Sequence, residues 1–195
     1  MKTQKSIIML KTKLSENQIK LIVGSLLGDG YLVKTTSGYA LRINHSIFQK
    51  DYADYKYSLI SNIVHTPPKI IGKTYQFRTV SHPIFKQFRN KFYYKNLKIV
   101  SKDFLEQYLN GFVLAIWIMD DGTRESNSIR INSQGFTKNE NIYLIKLLQA
   151  KLGIKTTLNK DKDKFRLRIK TESIKKVLNL IQPYIIPSML YKLPL

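Results

Sequence analysis

Apolar residues run almost unbroken over "LIVGSLLG" (21–28) and again over "FVLAIWIM" (112–119). A helix with no polar face is built for burial. The first run follows Ser15, with Gln18 three residues on in a capping-box pattern, and predicts a helix over about 16–29. The second follows Asn110, a good N-cap, and predicts a helix over about 110–121. Elsewhere the pattern alternates. "LRINHSI" (41–47) and "IRINSQ" (129–134) place Ile on one face and Arg, Asn and Ser or Gln on the other, the period of a half-buried strand. In "FRLRIK" (165–170), Phe165, Leu167 and Ile169 share one side while Arg166, Arg168 and Lys170 share the other. Further helices are predicted over 50–64, 82–93, 137–152 and 171–181, the third of these ending near Gly153. Hairpins are predicted to turn at Gly72-Lys73 and in the Lys/Asp run of "TTLNKDKDKFRLRIK".

This grammar occurs twice. Arg42, Ile43, Asn44, Phe48 and Lys50 answer Arg130, Ile131, Asn132, Phe136 and Lys138 at an offset of 88. The Asp-Gly pairs 29–30 and 121–122 are 92 apart, and "LKIV" (97–100) answers "YKLP" (191–194) at 94. Three echoes in one order indicate a duplication. The units are read as 1–100 and 101–195, each with the order αββαββα in a mixed α+β class. Either unit alone makes a marginal core, so the two are expected to pack as one pseudo-dimer.

Charge changes the picture next. Lys and Arg number 33 against 13 Asp and Glu, a formal charge of +20. Such an excess calls for a polyanionic partner, nucleic acid first and a membrane surface second. The longest apolar runs fall short of the ~18 residues a spanning helix needs. No targeting peptide is seen in "MKTQKSIIMLKTKLSENQ". The absence of cysteine excludes disulfides and thiolate metal sites, and His45, His65 and His82 lack ligand spacing. For any one strand the polar face reads as a plain solvated surface. Several such strands on a +20 chain favour a nucleic-acid reader. Arg42, Arg78, Arg130, Arg166 and Arg168 would meet guanine, Asn44, Asn132 and Gln134 adenine, with Lys170 on the same surface and His45 either facing DNA or packing.

Each apolar helix ends in a carboxylate, where the helix dipole disfavours one. One Asp-Gly alone reads as a turn. Two at matched places suggest carboxylates gathered with carbonyl ends around a hard cation. Asp121 aligns with Asp29, since each directly precedes Gly; Asp120 aligns with Gly28 and takes a secondary or structural role. Small residues at Gly24, Gly28 and Ala115 would let the two helices approach closely.

"LIVGSLLGDG" and "LNGFVLAIWIMDDG" resemble the two motifs of the LAGLIDADG homing endonucleases, and "PSMLYKLP" (187–194) resembles the ending of the branch that spells its second motif "MDDG". The resemblance covers nearly the whole chain. It implies a monomeric two-motif enzyme that cleaves long asymmetric sites in double-stranded DNA with Mg²⁺, or with Mn²⁺ or Ca²⁺ bound in its place. It implies two pseudo-symmetric lobes whose antiparallel sheets form a DNA-binding saddle. Family positions fall on Asp29 and Asp121 as metal-ligating acids, with Gly28 and Asp120 beside them, and on Lys98 and Lys192 as active-site lysines. The same family includes maturases that bind intron RNA. An organellar location, mitochondrion or chloroplast, is implied if the chain is organelle-encoded; no membrane association is.

Overall fold

The structure, a computed structural model, describes residues 4–194. After a short helix α1 (Gln4–Lys11), the first apolar run forms α2 (Glu16–Leu27). Its N-terminus carries the full capping box: Ser15 Oγ accepts from the Gln18 amide at 3.2 Å, and Gln18 Oε1 accepts from the Ser15 amide at 3.1 Å. The helix stops two residues before Asp29, short of the expected end. Gly28 leaves the helical region (φ −99°, ψ −134°), and the Gly30 amide turns back to Ser25 O at 2.8 Å.

The strands β1 (Tyr31–Thr35) and β2 (Gly38–Ser46) follow, then α3 (Lys50–Ile60), β3 (Lys69–Ile71), β4 (Thr74–Arg78) and α4 (Ile84–Phe92). α3 gives way to a tighter turn over Ser61–Ile63, so the helix expected to reach 64 is shorter. A two-residue hairpin, β5 (Tyr93–Tyr94) and β6 (Leu97–Lys98), and α5 (Lys102–Tyr108) were not legible in the pattern. The second run forms α6 (Gly111–Asp121), capped by the Asn110 side chain on the Val113 amide at 3.0 Å. Then come β7 (Gly122–Glu125), β8 (Ser128–Ile131), α7 (Lys138–Leu152), β9 (Thr156–Asp161), β10 (Lys164–Ile169) and α8 (Thr171–Ile181). Gly153 closes α7 in the left-handed region at φ 63°, which favours glycine.

Two antiparallel four-stranded sheets result, in the orders β1-β2-β4-β3 and β7-β8-β10-β9. The same order in both follows from the same alternation in both halves of the sequence. β8 stops at Ile131, before Asn132 and Gln134, because Ser133 turns the chain: its amide returns to Ile131 O at 2.9 Å and its hydroxyl donates to Asn141 Oδ1 at 2.6 Å.

The inner faces, with Leu41, Ile43 and Phe77 in one sheet and Ile129, Ile131, Leu167 and Ile169 in the other, are buried. Every residue from Leu21 to Leu27 and from Phe112 to Asp120 is buried as well. That is the consequence of helices apolar all round. α2 and α6 pack on each other so closely that a Cβ at Gly24 would lie 2.8 Å from Ile116 Cβ and 3.1 Å from Val113 O. The small-residue pattern thus sets the helix spacing.

Candidate active site where the two motif helices end

The helix pair brings its C-terminal ends together. A Cβ on Gly28 would lie 2.4 Å from both Asp120 Cβ and Asp120 Oδ2, so the missing side chain in the first repeat makes room for the carboxylate of the second. Asp120 Oδ2 accepts the Asp29 amide at 3.1 Å. Two lysines finish the pattern with matched contacts. Lys98, on β6, donates to Gly28 O at 2.5 Å, and Lys192, in the C-terminal turn, donates to Asp120 O at 2.6 Å. Each lysine therefore holds the carbonyl just before one Asp-Gly acid. Burial draws the pKa of both lysines below the usual amine range.

The three carboxylates differ. Asp29 is half exposed, while Asp120 is sealed. Burial pushes the pKa of Asp120 up, but Lys56, His45 and Tyr52 together outweigh it and hold it below the ordinary value. Lys56 Nζ lies 2.7 Å from Asp120 Oδ1 and 3.0 Å from Oδ2. Asp29 is raised, first by burial and then by the charge of Asp120. Asp121 is pushed up to about 7, first by burial and then by Asp29 and Asp120.

His45 packs inward and does not face the expected DNA-binding surface, which corrects its assignment as a DNA contact. On β2 it shares the inner face with Leu41 and Ile43, not the outer face with Arg42 and Asn44. Its ring stacks obliquely on Tyr52 at 4.8 Å, with Nδ1 3.8 Å from Asp29 Oδ2 and Nε2 3.8 Å from Asp120 Oδ1. Burial, reinforced by the Lys56 charge, lowers its pKa to about 4, so it is neutral at physiological pH. Tyr52 donates from its hydroxyl to Ile116 O at 3.1 Å. Tyr52 and Lys56, both from α3, were not singled out in the sequence.

The donor chemistry suits a hard divalent cation. Asp29 and Asp121 offer carboxylate oxygens, and both are raised first by burial and then by neighbouring carboxylates. Ligand atoms of Asp29, His45 and Asp120 also lie within 4.8 Å of one another. Within that trio, Asp120 is already matched by Lys56.

Of the remaining candidates, Arg42, Asn44, Arg78, Arg130, Arg166 and Arg168 lie on the outer faces of the sheets, while Asn132, Gln134 and Lys170 lie beyond the strand ends. Arg42 pairs across strands with Arg78 and Asn44 with Gln76, and Arg130 with Arg168. Arg130 and Arg168 bind Glu125, and Arg166 binds Asp161. Gln134 donates to Asp161 Oδ2 at 2.9 Å and Asn132 to Thr123 Oγ1 at 3.1 Å. Lys170 caps the N-terminus of α8 and is exposed.

Residues 19–177 match the LAGLIDADG DNA endonuclease family, and the chain belongs to it. Among its relatives, the Cytochrome b mRNA maturase bI2 of Saccharomyces cerevisiae is 32% identical, over 92% of this chain and 48% of the relative; the chain spans about half of that protein's length. The Probable intron-encoded DNA endonuclease 3 of Mycosarcoma maydis is 36% identical, over 63% of this chain and 94% of its own. The homing endonuclease I-WcaI, solved bound to its DNA recognition sequence, superposes with a TM-score of 0.86 at 28% identity, over 93% of this chain and 88% of that one.

Proposed function

We propose that this chain is a site-specific endonuclease that cuts both strands of a long, asymmetric DNA site, acting as a monomer built from the units 1–100 and 101–195. The reading is carried by the matched arrangement of two acids and two lysines: Lys98 on the carbonyl before Asp29, and Lys192 on the carbonyl before Asp121. The likeness to an intron-encoded endonuclease and to I-WcaI supports it. Asp29 and Asp121 would hold divalent metal, Mg²⁺ in the first instance. Bound there, the metal would supply Lewis-acid charge to the phosphodiester and to the attacking water. Lys98 and Lys192 steady negative charge at the scissile phosphates from fixed positions. The outer sheet faces form the saddle that grips the duplex. An organellar origin is part of the proposal, since a relative is named for cytochrome b mRNA.

The test is cleavage of the joined flanking exons of the intron that encodes this chain, with Mg²⁺ and with EDTA. Metal-dependent double-strand cleavage at the junction is the expected result; an intact junction under both conditions overturns the reading. Affinity should also fall steeply with salt, since a +20 chain on a long site neutralises on the order of 10 phosphates. A second reading, a maturase that assists splicing by binding intron RNA, is favoured by the 32% identity to a maturase. Scoring splicing of the intron RNA beside cleavage separates the two.

A further inference from the structure

Arg42 stands directly opposite Arg78, and Arg130 directly opposite Arg168. Both pairs sit on the second and third strands of their sheets. Like charges opposed across a sheet repel. The two sheets answer that repulsion differently. In the C-terminal sheet, Glu125 on the edge strand β7 binds both arginines. Its Oε1 accepts from Arg130 Nη1 at 2.9 Å, and its Oε2 accepts from Arg168 Nε at 2.7 Å. Ser128 Oγ donates to Glu125 Oε2 at 2.9 Å and accepts from Arg168 Nε at 2.9 Å. In the N-terminal sheet, Tyr31 pairs with Arg42 as Thr123 pairs with Arg130. Two residues further along the edge strand, Val33 stands where Glu125 stands in the other sheet. The ion pairs among the described residues join Glu125 to its two arginines but join no carboxylate to Arg42 or Arg78, while one Nε in each pair, that of Arg42 and that of Arg130, is buried without a partner.

We propose that Glu125 is a specificity-determining positioning residue, which makes the clasped Arg130–Arg168 pair a reader of bases while the unclasped Arg42–Arg78 pair grips phosphate. This rests on the DNA-binding reading above. A clasped guanidinium has its charge offset, so its attraction to any phosphate falls. Its side chain is ordered before DNA arrives, so less rotamer freedom is lost on binding. The Nη groups of Arg168 that Glu125 leaves unused keep a fixed direction, which suits the two acceptors of one guanine. A wrong base offers no matching geometry, and the arginine gains nothing by leaving Glu125. The Arg42–Arg78 pair has the opposite character. Two opposed charges with no carboxylate need an anion, and the backbone supplies one at every step.

The probe is a pool of random-sequence duplexes, selected without added metal by the full chain and by its variants. Wild type should enrich a long asymmetric consensus. Glu125→Val should flatten base preference about ten-fold or more at a few base pairs in one half of that consensus and leave the other half intact. It should also bind the unselected pool more tightly, with a salt slope steeper by about 1. Val33→Glu should do the reverse to pool affinity and slope. Melting curves monitor folding, and Glu125→Gln, which keeps shape and one acceptor, serves if Glu125→Val does not fold. Unchanged preference in both halves, or equal flattening of both, overturns the assignment of Glu125 while the DNA reading stands. A wild-type chain that enriches nothing and binds with a flat salt response overturns the DNA reading, and this inference with it.

Discussion

Lys56 Nζ lies 2.7 Å and 3.0 Å from the two oxygens of Asp120, and both side chains are sealed from solvent. The pair ties α3 of the first repeat to the end of the second motif helix. Removing one partner of a buried ion pair strands the other charge, at a cost of about 3–5 kcal/mol. Lys56→Met should therefore be strongly destabilising. Lys56→Met with Asp120→Asn should recover most of the loss, since no charge is then buried and the Asn carbonyl can still accept the Asp29 amide. Denaturant midpoints of the single and double variants decide this. A double variant no more stable than Lys56→Met would mean that the pair is not what holds the two elements together.

Lys56 also shows where the sequence stops being legible. In a lysine-rich chain one more lysine on a helix reads as solvated. Two signals pointed the other way: Ala53, Lys56 and Ile60 form one stripe of α3, and at the 88-residue offset Lys56 is answered by the core residue Leu144. His45 could have been assigned to the inner face by parity with Leu41 and Ile43 alone. The repeated order of helices and strands was readable because hydrophobic period and duplication agreed at every step. The β5–β6 hairpin was not, because two-residue strands carry no period. Nor could periodicity show that Asp29 leaves its helix while Asp121 ends one. That difference is set by Gly28, whose backbone breaks the helix and whose bare Cα admits Asp120.

Asp29→Asn and Asp121→Asn should each abolish double-strand cleavage while leaving DNA affinity nearly intact. Each removes a carboxylate charge proposed to hold the metal without touching the basic faces of the sheets. Cleavage and gel-shift assays on the same preparations test this, and wild-type cleavage by either variant would remove that acid from the site.

The metal-free protein should show an unusual pH response at Asp121. Its folded pKa of about 7 lies above the ordinary 3.8, so the folded state holds a proton that the unfolded state has lost. The stability associated with that proton is fully present below 3.8 and is lost as pH rises through about 7. His45 works in the opposite sense, its value of about 4 against 6.5 removing stability as pH falls. Comparison with Asp121→Asn isolates the carboxylate. The variant should match wild type near pH 4 and exceed it above pH 7 by about 1–2 kcal/mol, the shift being partly screened at a side chain only partly buried. Saturating Mg²⁺ should reverse the order, because only the wild type then gains a ligand. Equal stability of the two proteins at high pH without metal would show that Asp121 is not held under repulsion.

Gly28 should tolerate no side chain. Its φ of −99° is not in the left-handed region. What forbids a side chain is Asp120, whose Cβ and Oδ2 would both lie 2.4 Å from the new Cβ. Oδ2 is also the acceptor of the Asp29 amide and a partner of Lys56. Gly28→Ala must therefore displace the carboxylate, the amide or the helix pair itself. Overpacking of this kind costs about 1–3 kcal/mol. The shift also reaches Asp29 directly, and small misplacements of reacting groups cost on the order of 10²-fold in rate. Gly24→Ala meets Ile116 Cβ at 2.8 Å, one turn away from the acids, and should lose stability with a smaller loss of rate. Gly135 has nothing within 4 Å of its missing Cβ, so Gly135→Ala is the neutral control. Single-turnover cleavage and thermal melting of the three variants should order the rate losses as Gly28, then Gly24, then Gly135. A fully active Gly28→Ala enzyme would show that the close approach of Gly28 and Asp120 does not set the geometry of the site.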